Sequence, residues 1–250
     1  MESSRFPFGQ DFVPVKFPEP EDSRRGIVGY SEEIPAELLY SAYLQGIFPW
    51  FNEDKGDPVL WWNPDPRFVL QVENFHIPSR LVRFLKHTPY FYTMDRDFES
   101  VIRGCAEMKR RNQQGTWLSP TMINAYCSLH ALGIAHSVEA WYDDDLAGGF
   151  YGVLIGRVFF GESMFTKRSD SSKSAFVRFV QIFMECGGRL VDSQVYTDNI
   201  ARFGARNISR NAFLYLEQEL LFTPLEEDLN KAFAFRANPA ADNGNIACGR

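Results

Sequence analysis

Apolar positions along the chain change period several times, and each change marks an element. Residues 1–30 contain four prolines and no helical period, so they read as an extended arm. Pro35 then opens a helix over about 35–46, with Leu38, Leu39, Ala42 and Tyr43 on one side and Gly46 at its end. Phe68, Leu70 and Val72 alternate as a strand, Pro78 starts a helix to His87, and a strand follows near 89–94. Phe98, Val101, Ile102 and Cys105 recur at helical spacing, predicting a helix over about 95–110. Ser119-Pro120 pairs a capping residue with proline at the first helical position and predicts a helix through Leu132 that stops at Gly133.

The second half has a different rhythm. Residues 135–142 and 146–155 flank Asp143-Asp-Asp145 and predict a hairpin, and Gly156-Arg157 turns into a third strand at Val158-Phe-Phe160. Asp170-Ser-Ser caps a helix with Ala175, Phe176, Phe179, Val180 and Phe183 on one stripe, closing at Gly187-Gly188. Arg189 to Val195 reads as a strand. Three strands, a helix and a strand, with an antiparallel start, predict an α+β, acetyltransferase-like domain. The expected organisation is a small N-terminal α/β domain over 1–66, an acetyltransferase-like domain with a mainly antiparallel sheet over 67–225, and a mobile tail over 226–250.

Composition narrows the class. Of 250 residues 45% are hydrophobic and 23% charged, which excludes disorder of the whole chain. Aromatics are abundant, with 23 Phe, 10 Tyr and 5 Trp. The net charge of −6 means that any nucleic-acid site must be local. One candidate lies in residues 76–111, where eight Lys or Arg, among them Arg83 and Lys86, face four acids. Cys105, Cys127, Cys186 and Cys248 form no C-x-x-C pair, so neither disulfides nor a zinc cage is expected. No stretch has the length or apolarity of a membrane span or an export signal, and a cytoplasmic protein is the expectation.

Several motifs fail on inspection. Gly156 to Ser163 has the spacing of a phosphate-binding loop, but Glu162 stands where the lysine should be and would repel phosphate. Gly161-Glu-Ser163-Met-Phe165 begins like a nucleophile elbow yet lacks the closing glycine. His130 and His136 have no carboxylate at metal-ligand spacing, so solvated or capping roles are expected and no metal. Acetyltransferases hold coenzyme A pyrophosphate on a glycine-rich loop, whereas this junction, Thr166 to Ser174, has no glycine, so no cofactor is expected. Three Trp within thirteen residues (Trp50, Trp61, Trp62), interrupted by prolines, form either a core clamp or an aromatic platform. Asp192 and Gln194 lie two apart on the predicted strand and so share a face, where both need partners if buried.

Seven blocks together carry a resemblance: Gly46-Ile-Phe-Pro-Trp-Phe51, Leu60-Trp-Trp-Asn-Pro-Asp-Pro-Arg67, Gly115-Thr-Trp-Leu118, Ala135-His-Ser-Val-Glu139, Gly148-Gly-Phe-Tyr-Gly152, Phe160-Gly-Glu-Ser-Met-Phe165 and Val191-Asp-Ser-Gln-Val195. From about 35 to about 216 the chain resembles the leucyl/phenylalanyl-tRNA protein transferases. The resemblance implies transfer of Leu or Phe, with Met a further candidate, from aminoacyl-tRNA to the N-terminal Arg or Lys of a protein, marking it for degradation under the N-end rule. It implies Asp192 and Gln194 at the reacting centre, Gln194 orienting the amine and Asp192 supplying nearby negative charge. By the same likeness Trp50 and Trp117 stack on the terminal adenosine, which turns the tryptophans toward a platform. Phe150, Met164, Phe176, Phe179, Phe183 and Val191 form the side-chain pocket, and Glu162 lies near the acceptor peptide. The family often has Met where this chain has Phe150. A monomer is expected. Competing expectations are a coenzyme A-dependent N-acetyltransferase and a non-catalytic binder of tRNA 3′ ends.

Overall fold

The computed structural model describes residues 7–9, 11–19, 26–50, 58–108 and 118–238. In chain order the elements are β1 (Ile27–Ser31), α1 (Ala36–Tyr43), β2 (Phe48–Trp50), β3 (Val59–Trp62), β4 (Arg67–Gln71), α2 (Ser79–Leu85), β5 (Phe91–Met94), α3 (Phe98–Glu107), α4 (Pro120–Ala131), β6 (Ala135–Tyr142), β7 (Asp145–Ile155), β8 (Val158–Thr166), α5 (Ser171–Glu185), β9 (Leu190–Asp192), α6 (Asp198–Ala201), β10 (Arg206–Ile208), α7 (Arg210–Leu220) and α8 (Leu229–Arg236). They build two sheets. The small one has the order β1-β3-β2; the large one runs β10-β4-β9-β8-β7-β6-β5. Every pairing is antiparallel except that of β8 with β9, so the mainly antiparallel α+β expectation holds.

Local chemistry sets the helix ends. Ser119 accepts from the Met122 N–H at the head of α4, as its sequence predicts, and Asp97 does the same for α3 through Ser100. The large sheet is covered on both faces. One core joins α1, α3, α4 and the small sheet to residues such as Tyr151, Val158, Phe160 and Phe165. The other joins α5 and α8 to Phe150, Phe159 and Val191. The N-terminal arm is not free, because Phe17 packs on Trp61 and Phe12 on Tyr40, while the Val15 and Phe17 amides donate to Ser41 and Gln45 of the α1 segment.

Two expectations need correction. The stretch from 226 is not all tail, since Leu229, Ala232 and Phe233 of α8 are buried and the Asn238 side chain bonds to both the N–H and C=O of Tyr92. An apolar stripe and a satisfied sheet edge hold this segment down, and only 239–250 lie outside the described residues. The strand expected over 189–195 is β9 alone, because Gln194 takes the left-handed conformation, φ +62°, and the chain turns. Asp192 and Gln194 therefore do not share a strand face.

Pairing between β7 and β8 contains a bulge. Tyr151 faces Ser163 and Gly152 faces Gly161, so Glu162 is the extra residue. Parallel pairing of β8 with β9 ends at Phe160 and Asp192. Beyond that point Gly161, Glu162 and Ser163 have no β9 partner in register, and a cavity occupies the gap.

Candidate active site

The cavity has a volume of about 550 Å³. Phe150, Phe159, Met164, Phe176 and Val191 form its apolar floor, Glu162, Ser193 and Gln194 its polar side, and Phe48, Pro49 and Trp50 a wall from the small sheet. Trp50 is 39% exposed, available to a flat partner, whereas Trp61 is core and Trp62 stacks obliquely on Trp50 at 5.8 Å. Trp61 thus acts as a core clamp, while the face of Trp50 stays open to solvent beside the cavity.

Glu162 is the most heavily partnered group of the polar side. The Tyr43 hydroxyl donates to its Oε1 at 2.6 Å, the Tyr126 hydroxyl to its Oε2 at 2.8 Å, and the Gln194 amide Nε2 to its Oε1 at 2.6 Å. The two phenols also meet each other at 2.7 Å. Burial pushes the carboxyl up to about 7 and outweighs the three donors, with the nearby Asp192 carboxylate acting in the same direction. Burial first, then Glu162, lifts both phenols well above their ordinary value. Gln194 spends Nε2 on Glu162, and its Oε1 can only accept.

Asp192 stands one layer back. It is fully buried and is not among the residues that line the cavity, whereas its neighbours Val191, Ser193 and Gln194 are. Arg67 grips it with two bonds, Nε to Oδ1 at 2.9 Å and Nη2 to Oδ2 at 2.6 Å. The guanidinium lies between the rings of Phe48, 4.9 Å away, and Phe213, 4.4 Å away. Asp192 Oδ1 also accepts the Gln194 N–H at 2.9 Å and so fixes the left-handed turn that aims Gln194 at Glu162. Behind Arg67, burial holds the Glu217 carboxyl well above the usual range although the guanidinium opposes this.

Other expected site residues divide. Phe150, Met164, Phe176 and Val191 come together on the cavity wall, and Glu162 lines the same cavity. Phe179 and Phe183 do not. They stack on each other behind it, Phe179 packing on Phe159 at 4.4 Å, because their stripe faces the sheet below the floor. Trp117, with Lys109 to Arg111, lies outside the described residues. Arg83 and Lys86 are exposed at the end of α2, and Arg80 reaches Asp170 ahead of α5. His136 Nδ1 meets Asp95 at 2.6 Å, while His130, partly exposed in the last turn of α4, holds the Ala135 carbonyl oxygen through Nδ1 at 2.8 Å with Asp95 3.8 Å away. Among the described residues no group of three His, Cys, Asp or Glu side chains is placed to hold a metal ion, and no helix is long and apolar enough to cross a membrane. Sequence reasoning missed Tyr43, Tyr126 and Phe159. Each sits on an apolar stripe, and nothing local separates it from core.

Comparison with known proteins gives the arrangement a family. The model of the leucyl/phenylalanyl-tRNA protein transferase N-terminal domain matches residues 32–65, which carry the tryptophan wall, and that of leucyl/phenylalanyl-tRNA protein transferase matches 69–218. Proteins of that name from Anaeromyxobacter sp. (strain Fw109-5) and Laribacter hongkongensis (strain HLHK9) are similar over most of the chain. The first is 50% identical over 80% of this chain and 85% of its own, the second 45% identical over 88% and 92%. Among solved structures, a GCN5-related N-acetyltransferase from Kribbella flavida aligns over 69% of this chain and 60% of its own at a TM-score of 0.33 and 11% identity. Likeness at this level, continuous across both the wall and the floor of the cavity, is that of shared descent, and the chain belongs to the leucyl/phenylalanyl-tRNA protein transferase family.

Proposed function

We propose that the protein moves Leu or Phe from aminoacyl-tRNA to the N-terminal Arg or Lys of an acceptor protein. One observation carries the reading. A cavity with a purely apolar floor and a carboxylate–amide polar side opens beneath an exposed indole, a combination that suits an apolar aminoacyl group, an adenosine and a cationic acceptor. The ester donor is already activated, so holding the amine against its carbonyl supplies most of the required acceleration. Gln194 orients that amine through Oε1. Asp192 acts on the amine through the Gln194 turn rather than by touch, and Trp50 stacks on the adenine for about 1–3 kcal/mol. Arg83 and Lys86 track the acceptor stem from α2, where phosphate contacts make binding salt-dependent. The protein works as a cytoplasmic monomer that requires no cofactor.

The test supplies radiolabelled Leu-tRNA with peptides beginning in Arg, Lys or Gly, and acetyl-CoA as a rival donor. Label transferred to the Arg and Lys peptides alone is the expected result. Acetylation in its place, or binding of tRNA without transfer, overturns the reading.

A further inference from the structure

We propose that Glu162, held by Tyr43 and Tyr126, is the group that takes the proton from the α-ammonium of the acceptor. The argument is a count of hydrogens. Tyr43 Oη, Tyr126 Oη and the Glu162 carboxyl form a closed ring of three contacts at 2.6, 2.7 and 2.8 Å. Each contact needs one hydrogen, and two phenols bring two. With Glu162 ionised one contact has none; one proton on the carboxyl completes the ring. The ring is therefore built around a vacancy for a single proton, and that vacancy borders the cavity where Gln194 meets Glu162.

This inference rests on the transferase reading and adds the proton's destination. The α-ammonium gives one proton to Glu162, and the free amine forms a bond to the ester carbonyl carbon. The bond from that carbon to the ribose oxygen then breaks, and the ribose oxygen leaves as a hydroxyl with the second proton shed by nitrogen. As product departs, Glu162 returns its proton to water through the open cavity. The carboxyl, raised to about 7 by burial, is closely matched to an α-amine of reference pKa about 7.7–8.0, which favours transfer in both directions. Groups facing it are Tyr43 of α1, Tyr126 of α4, Tyr151 of β7, and Asp192 of β9 with Arg67 behind; Lys173 of α5 lines the same cavity.

Carbon-13 NMR of carboxyl-labelled glutamates, read beside single-turnover transfer to an Arg peptide across pH, tests this. One glutamate signal should titrate near 7, vanish in Glu162→Gln, and titrate higher in Tyr126→Phe, which removes a donor to the ionised form. The Gln variant should lose about 10²- to 10⁴-fold in kcat and the acidic limb of the rate profile. If wild type transfers while Glu162→Gln raises only KM for the peptide and keeps kcat, the carboxylate is a charge clamp and the proposal falls, leaving the transferase reading intact. A limb that stays in place in Tyr126→Phe also overturns it. No transfer by wild type overturns both.

Discussion

Arg67→Met tests whether the buried pair behind the cavity holds the site in shape. Methionine keeps the apolar stem between Phe48 and Phe213 but leaves Asp192, fully buried, with no counter-charge. Glu217 cannot relieve it, because a carboxyl in either protonation state brings no positive charge. Removing one partner of a buried pair costs about 3–5 kcal/mol, a large share of the 5–15 kcal/mol typical of a native protein. At about 2–4 °C per kcal/mol for a chain of this size, the melting temperature at pH 7 should fall by about 6–20 °C. Adding Asp192→Asn removes the stranded charge yet keeps an Oδ1 to accept the Gln194 N–H, so the double variant should recover most of the loss. Calorimetry on wild type, both single variants and the double closes the cycle. A loss below about 1 kcal/mol for Arg67→Met, or additive losses in the double variant, would refute the reasoning.

Four further outcomes are expected. Trp50→Ala should raise KM equally for aminoacyl-tRNA and for a minimal aminoacyl-adenosine, and an effect on the tRNA alone would remove the stacking role. Phe150→Met exchanges a rigid ring in the floor for an adaptable chain, so the ratio of kcat/KM for Leu-tRNA over Phe-tRNA should fall, within the about 1–3 kcal/mol open to one methylene of crowding; an unchanged ratio counts against it. Truncation after residue 225 should cost about 3–6 kcal/mol by removing the buried Leu229 and Phe233 and uncovering the surface of α5 and β5 beneath α8, measured by denaturant unfolding. Glu162 binds protons more tightly folded than unfolded, so its stabilising contribution is full below about 4.5 and is lost as pH rises through about 7; Glu162→Gln should flatten stability across that window, and an unchanged slope speaks against the raised carboxyl.

Much of the fold was legible because its signals are local. The Asp143–Asp145 turn, the Gly156-Arg157 turn and the Ser119 cap fix β6, β7, β8 and α4 within a residue or two at most ends. α8 was not legible, since its Asn, Ala and Lys content looks like tail and only burial of Phe233 betrays it. The floor of the cavity was read in outline, with the stripe of α5 extended two turns too far to Phe179 and Phe183. What escaped altogether depends on distance in sequence. Tyr43 and Tyr126 meet across 83 residues, and Tyr43 reaches Glu162 across 119, so no window of sequence holds the ring. The Gln194 turn escaped because the strand period invites continuation, while the Asp192 side chain bonds the Gln194 amide and ends it.

The bulge in β8 makes this strand behave like a message with one inserted letter. Up to Gly161 the odd positions, Phe159 among them, look into the cavity; after Glu162 the even ones, Met164 and Thr166, do so. Substituting Glu162 and deleting it are therefore different experiments. A substitution changes one chemical group, whereas a deletion removes the bulge with it and leaves strict alternation, with Met164 still facing the cavity and Phe165 the opposite core; only straightening the strand with Glu162 retained would exchange the two. The extra residue is what lets a carboxylate stand in this strand without disturbing which of its neighbours face the cavity.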